Sequence, residues 1–227
     1  MPDTKHAYEH VWGIYLPIAI GVFAIVVGTL IVLLGWGARR PQAGRRSEAL
    51  PLEIAYACAL ACVAALLVWV TFSAETPIDR LAARPGLRIK VIGAQWSWRF
   101  VYANGVVVSA ISTWHPPVVY VPTGTEIEFD GTSEDVIHGF WIPKLHFQRQ
   151  LLPSYVTHFD LIFDTAGYYG GECSVFCGEH HSEMHFALQA VSPSRFREWL
   201  AREGKRASAA ASSPRPPRSP VSKGAPA

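Results

Sequence analysis

Two long stretches of the chain carry no charge, and the sequence after them alternates apolar and polar positions with a period of two. From Val11 to Trp36 roughly 26 residues pass without Asp, Glu, Lys or Arg, and from Ile54 to Ala74 roughly 21 do. A helix needs about 20 apolar residues to cross a hydrocarbon core, so each stretch predicts a membrane span. Trp12, Tyr15 and Trp36 lie near the ends of the first, and Tyr56 and Trp69 near the ends of the second, where interfacial aromatics collect. The rest of the chain is too small to enclose two such helices as a soluble core. The first stretch also exceeds the apolar region of a signal peptide and is followed by another span, which argues against a cleaved leader.

Beyond Glu75-Thr76-Pro77 and a short linker, the pattern changes to β-structure. Leu87, Ile89 and Val91 alternate with Arg88 and Lys90; Ile127 and Phe129 alternate with Glu126, Glu128 and Asp130; Phe159, Leu161 and Phe163 repeat the period. Val118 to Val121 ends in the turn signal Pro122-Thr123-Gly124. Several short strands at this spacing predict a β-sandwich or barrel. No helix-period pattern precedes Pro193, after which Ser194 to about Glu203 predicts a short terminal helix. The chain thus divides into a membrane hairpin over 1–80, an external β-domain over 81–201, and a basic Pro-, Ser- and Ala-rich tail over 202–227 predicted to be disordered.

Charge orients this plan. The loop over 38–52 between the spans holds Arg39, Arg40, Arg45 and Arg46 against Glu48. The positive-inside rule puts that loop in the cytoplasm and both termini, with the β-domain, on the opposite side. Residues 81–201 contain 8 Lys and Arg against 11 Asp and Glu, while the whole chain is at +2. A mildly acidic domain gives no sign of a nucleic-acid partner.

The chemistry concentrates in Gly171-Glu172-Cys173-Ser174-Val175-Phe176-Cys177-Gly178-Glu179-His180-His181-Ser182-Glu183-Met184, with a distant histidine in Asp135-Val136-Ile137-His138. Thiolate, imidazole and thioether form a soft donor set suited to copper. One Cys, two His and a Met would make a mononuclear electron-transfer site. The second Cys allows two thiolates to bridge two copper ions, spreading the geometric change of reduction over many bonds. A Cys173–Cys177 disulfide and a Cys2His2 zinc site are the alternatives, and both leave Met184 without a role.

This segment resembles the dinuclear copper (CuA) loop of cytochrome c oxidase subunit II, and the two spans with an external cupredoxin-like Greek-key β-domain resemble that family's architecture over roughly residues 10–200. The resemblance implies that Cys173 and Cys177 bridge the coppers, that His138 and His181 each ligate one, and that Met184 and the backbone carbonyl of Val175 are weak ligands. His180, adjacent to His181, fits the family spacing less well. The family commonly has Glu at the position of Val175, whose carboxylate reaches a magnesium site shared with subunit I, and an Asp-x-x-Pro-Gly pattern where this chain has Gln150-Leu151-Leu152-Pro153-Ser154. Both differences mark a divergent branch.

The same resemblance implies that Trp96, in the aromatic run Gln95-Trp96-Ser97-Trp98-Arg99-Phe100, accepts the electron from cytochrome c, and that Glu53 marks the mouth of a proton channel. Implied partners are a heme-bearing subunit I that reduces oxygen, other oxidase subunits, cytochrome c and the lipid bilayer. The implied place is a bacterial inner membrane with the copper domain periplasmic. Rival readings are the electron-input subunit of a related nitric oxide reductase and a membrane-anchored copper carrier. Glu126, Glu128, Asp130, Glu134 and Asp135 could steer a basic donor or form a solvated strand face.

Overall fold

The computed structural model describes residues 4–37, 50–109 and 115–212. Helix α1 runs Thr4–Gly37 and α2 runs Leu50–Ile78, each enclosing its uncharged stretch with a few residues to spare. At about 1.5 Å per residue both are long enough to span a bilayer with some tilt. Almost nothing in the protein covers them: Phe23, Ile25, Leu34, Leu52 and Trp69 stand exposed. Helices this apolar and this uncovered have lipid or a partner's helices as their natural solvent, and they anchor the chain in a membrane.

Among the described residues, Tyr15 ties the two helices together. The Tyr15 hydroxyl donates to the Leu67 carbonyl at 2.9 Å and lies 2.5 Å from Thr71 Oγ1. Between helices in lipid such bonds contribute about 0.6 kcal/mol each. Tyr15→Phe is therefore expected to loosen the helix pair by about that amount, read as a small fall in the denaturant midpoint of the hairpin in detergent. The loop over 38–49 and its arginines lie outside the described residues.

Among the described residues ten strands follow: β1 Leu87–Ala94, β2 Ser97–Tyr102, β3 Val107–Ser109, β4 Val118–Pro122, β5 Ile127–Ser133, β6 His138–Ile142, β7 Phe147–Leu151, β8 Thr157–Leu161, β9 Gly167–Cys173 and β10 His185–Val191. They form two five-stranded sheets, ordered β3-β2-β1-β5-β8 and β4-β10-β9-β6-β7. The expected all-β domain is thus a sandwich rather than a closed barrel. Most neighbours are antiparallel, but β1 pairs with β5 and β4 with β10 in parallel. In β2, Trp98, Phe100 and Tyr102 point into the core while Ser97, Arg99 and Val101 do not, as the period of two requires. The rings of Trp98, Phe100, Phe129, Phe140, Phe159 and Phe186 fill the space between sheets, with Phe140 stacked on Phe186 at 4.5 Å. Each such ring contributes about 1.5–3 kcal/mol by leaving water.

Helix α3, Pro193–Ser212, starts with proline in its first turn, where the missing N–H is harmless. Phe196 and Trp199 pack on Tyr102 and Tyr120. The helix continues nine residues past its expected end, through 204–212, which the composition had assigned to a disordered tail. Ala207, Ala209, Ala210 and Ala211 explain the difference, since alanine is the strongest helix former even where nothing is buried. Residues 213–227 lie outside the described residues.

Helix α1 and the linker hold the sandwich against the hairpin. Thr4 Oγ1 donates to the Leu145 carbonyl at 2.7 Å, Tyr8 stacks on His146 at 4.3 Å, and Arg149 pairs with Asp79. The turn that Thr4 grips, Pro143–Leu145, directly follows β6, the strand that opens with His138.

Candidate metal centre

His138 is fully buried at the start of β6, and Cys173 is the last residue of β9 beside it. From Cys173 the chain leaves the sheet, passes Cys177, turns at His181–Glu183 and re-enters through Met184 into β10. Backbone bonds pin both ends of this loop. Ser174 N–H donates to the Gly139 carbonyl at 3.0 Å, Cys173 N–H to the Met184 carbonyl at 3.0 Å, and the Trp98 indole to that same carbonyl at 3.2 Å. Gly139 is required for this closeness: a Cβ there would press on Ser174 Oγ and come within 2.9 Å of the Val175 nitrogen.

The loop gathers soft donors around one point. The sulfurs of Cys173 and Cys177 are 3.8 Å apart and not bonded to each other. His138 Nδ1 lies 3.8 Å from Cys173 Sγ, and His181 Nδ1 lies 3.5 Å from Cys177 Sγ. Met184 Sδ is 3.8 Å from Cys177 Sγ, and the Val175 carbonyl is 3.2 Å from Cys173 Sγ. The donor atoms of His138, Cys173 and Cys177 all fall within 4.8 Å of one another. A metal–thiolate bond of about 2.3 Å can reach both sulfurs at once, because their separation of 3.8 Å is less than twice that length. Each sulfur also has its own imidazole, so the arrangement has room for two ions with one nitrogen apiece. Soft sulfur with imidazole is the donor set copper prefers.

The electrostatics call for a cation. Burial opposes ionisation of both thiols. At Cys173 it is outweighed by hydrogen bonding with the His138 imidazole and by the Gly139 N–H, which bring that thiol down to about 6. At Cys177 burial and the negative charge of Cys173 act together and push the thiol up to about 12. Without a metal the pair therefore keeps one proton near neutral pH. Metal ions bound to both sulfurs would expel it, since a coordinating thiol is deprotonated outright.

Asp135 has a role that the sequence pattern did not reveal. Its Oδ1 accepts from His138 Nε2 at 2.9 Å, while its Oδ2 accepts from the Gln95 N–H at 2.6 Å. Burial would raise this carboxyl, but the bonds from Gln95 and His138 hold it below its ordinary value. The carboxylate fixes the imidazole's tautomer and leaves Nδ1 free to face the sulfur. A spacing of three between Asp135 and His138 was visible in the sequence, but the direction of the side chain was not. Asp135→Ala is expected to lower metal affinity by roughly 10- to 100-fold, with Asp135→Asn nearer wild type because it keeps an acceptor. Titration against a competing chelator measures both.

The other candidates are placed as follows. Trp96 is half-buried at the rim, its indole Nε1 donating to the Cys177 carbonyl at 3.2 Å. His180 sits edge-on to Trp96 at 4.9 Å and reaches Glu183, so it turns away from the sulfurs. Phe176, between the two cysteines, is 80% exposed. Glu53 is exposed in the first turn of α2, far along the chain from the centre. His146 stacks on Tyr8, His158 pairs with Asp130, and His185 with Glu172. Within the acidic run Glu128 pairs with Arg88, Asp130 with His158, Glu134 with Arg99, and Asp135 with His138.

Comparison with known proteins agrees with this geometry. The family model for the periplasmic domain of cytochrome c oxidase subunit II matches residues 109–191, which include every donor from His138 to Met184. The probable cytochrome c oxidase subunit 2 of Streptomyces avermitilis is 26% identical over 189 residues, covering 66% of this chain and 59% of its own. Cytochrome c oxidase subunit 2 of Kluyveromyces lactis is 33% identical over 136 residues, covering 51% of this chain and 55% of its own. The chain thus spans somewhat over half the length of these relatives. The crystal structure of the periplasmic domain of subunit II from Bradyrhizobium japonicum shares the fold, with a TM-score of 0.52 and 24% identity, over 56% of this chain and 99% of that one. Across the whole donor loop the chain is thus similar to cytochrome c oxidase subunit II, with the β-sandwich of that subunit's periplasmic domain behind two apolar helices.

Proposed function

We propose that this chain is the electron-input subunit of a heme-copper terminal oxidase, accepting electrons from cytochrome c and passing them to a heme-bearing subunit I that reduces oxygen to water. One observation carries the reading: two unbonded thiols 3.8 Å apart, each with an imidazole of its own. Cys173 and Cys177 would bridge two copper ions, with His138 and His181 as their nitrogen ligands and Met184 and the Val175 carbonyl as weak ones. Bound there, the copper pair would supply one-electron exchange with little structural change.

The chain's own residues supply the rest. Burial of Cys173, Cys177, Met184 and His138 keeps water from the donors, and Asp135 holds one imidazole in place. Trp96 offers an aromatic surface at the rim, already hydrogen-bonded to the backbone of a bridging cysteine. Val175 offers a carbonyl but no carboxylate, so it would not serve a magnesium ion at the subunit interface. Glu53, at the start of α2, would stand at the mouth of a proton channel into subunit I. The arginines of 38–52 would face the cytoplasm and the sandwich the periplasm of a bacterial inner membrane.

The test is metal analysis with EPR and visible spectra on the full chain in detergent, reconstituted with copper. Two coppers per chain sharing one delocalised unpaired electron is the expected result. A single copper, zinc alone, or a disulfide in the reconstituted protein would overturn the proposal.

A further inference from the structure

Gln95 lies at the surface in the turn between β1 and β2, where a polar side chain has every opportunity to point into water. It points instead at the metal loop. Its amide Nε2 donates to the Cys177 carbonyl at 2.7 Å, and the indole of Trp96 donates to the same oxygen at 3.2 Å. A carbonyl accepts through two lone pairs, so these consecutive residues saturate it. The Gln95 backbone N–H meanwhile binds Asp135, which binds His138. Gln95 is thus linked to both halves of the centre, directly at Cys177 and through Asp135 at His138. Gly178 permits this approach: its φ is +123°, and a Cβ there would lie 3.1 Å from the Trp96 ring and 3.2 Å from Gln95 Nε2.

We infer that Gln95 is a positioning residue for electron input, its amide fixing the Cys177 carbonyl so that the Trp96 indole stays bonded to the metal loop. The inference rests on the function proposed above. Residues 174–180 belong to no strand, and one hydrogen bond from a half-buried ring would leave the loop free to pivot about it. Two donors from adjacent residues make a two-point attachment, which removes that rotation. In the proposed transfer one electron would leave an external donor, which would be oxidised, and would pass by way of Trp96 and Cys177 to the metal that Cys173, Cys177, His138 and His181 would hold; no bond or proton would move. The rate then depends on the gap between the Trp96 indole and Cys177, and Gln95 keeps that gap closed.

The test uses the full chain in detergent with Gln95→Met, of similar length but without a donor, and Gln95→Glu, whose carboxylate can only accept and would face the carbonyl. Two quantities are read: hydrogen exchange at the Trp96 indole N–H by NMR of copper-free protein labelled with 15N-tryptophan, and electron injection into copper-loaded protein from a photoexcited ruthenium complex. In both variants exchange is expected to quicken roughly three- to tenfold, the scale of one net hydrogen bond. Injection is expected to slow several-fold while copper per chain stays unchanged. Unaltered exchange and injection would overturn the inference. So would loss of copper from both variants, because Gln95 would then be holding the centre together rather than aiming Trp96. A wild-type chain that never takes up two coppers would sink the proposed function instead, and exchange in the copper-free protein would still report on Gln95.

Discussion

Cys177→Ser is expected to leave a chain that holds one copper ion and cannot hold two. Cys177 is the residue on which the second half of the centre converges: His181 Nδ1 is 3.5 Å from its sulfur and Met184 Sδ 3.8 Å. A serine hydroxyl is a hard, neutral donor at physiological pH and a poor copper ligand. With it in place, His181 and Met184 keep their positions but lose the thiolate that would join their metal to the other. The Cys173 side remains intact, with its buried imidazole, its carbonyl contact from Val175 and the carboxylate of Asp135. Copper content should fall from two to one per chain, and the EPR signal should change from an electron shared by two nuclei to one held by a single nucleus. The substitution is nearly isosteric, so the sandwich should fold as before. A variant that kept two coppers and the shared signal would remove the bridging role of Cys177.

The second large effect is expected from Gly139→Ala. An added Cβ would press on Ser174 Oγ and lie 2.9 Å from the Val175 nitrogen and 3.0 Å from the Ser174 nitrogen. Two of these are backbone atoms of the metal loop, which cannot swing aside as the tip of a side chain can. Either the loop or β6 must move, and the bond from Ser174 N–H to the Gly139 carbonyl would lengthen. Overpacking of this kind costs about 1–3 kcal/mol. The same shift would pull Cys173 away from His138, so metal affinity and stability should fall together. Chemical denaturation of the metal-free chain and chelator competition measure the two effects. Unchanged values in both would show that the loop yields easily and that Gly139 is not what sets its position.

The sequence showed most clearly what local periodicity dictates. Uncharged runs marked α1 and α2, and alternation marked β1, β5 and β8, because burial of one face imposes that pattern directly. The parallel pairing of β1 with β5 and of β4 with β10 was not legible, since it depends on long connections rather than on any strand's own residues. The extension of α3 through 204–212 was not legible because its alanines favour a helix without giving it an apolar face. At the centre, the spacing of Cys173, Cys177, His181 and Met184 was legible because the donors must lie close along one loop. Asp135 and Gln95 were not. Their roles depend on which way a side chain turns at the end of a strand, and an acidic or amide residue there looks like any other surface residue.

Four of the five side-chain donors, Cys173, Cys177, His181 and Met184, fall within one short segment, and only His138 comes from elsewhere in the chain. An unfolded polypeptide keeps such a segment nearly as well as a folded one. Copper would therefore bind the denatured ensemble too, and binding to that state subtracts from any stabilisation of the native one. The melting temperature of the loaded protein should then rise by less than its native affinity alone would give. What remains of the gain comes from His138 and from the exclusion of water, the two contributions that exist only after β6 and β9 have come together.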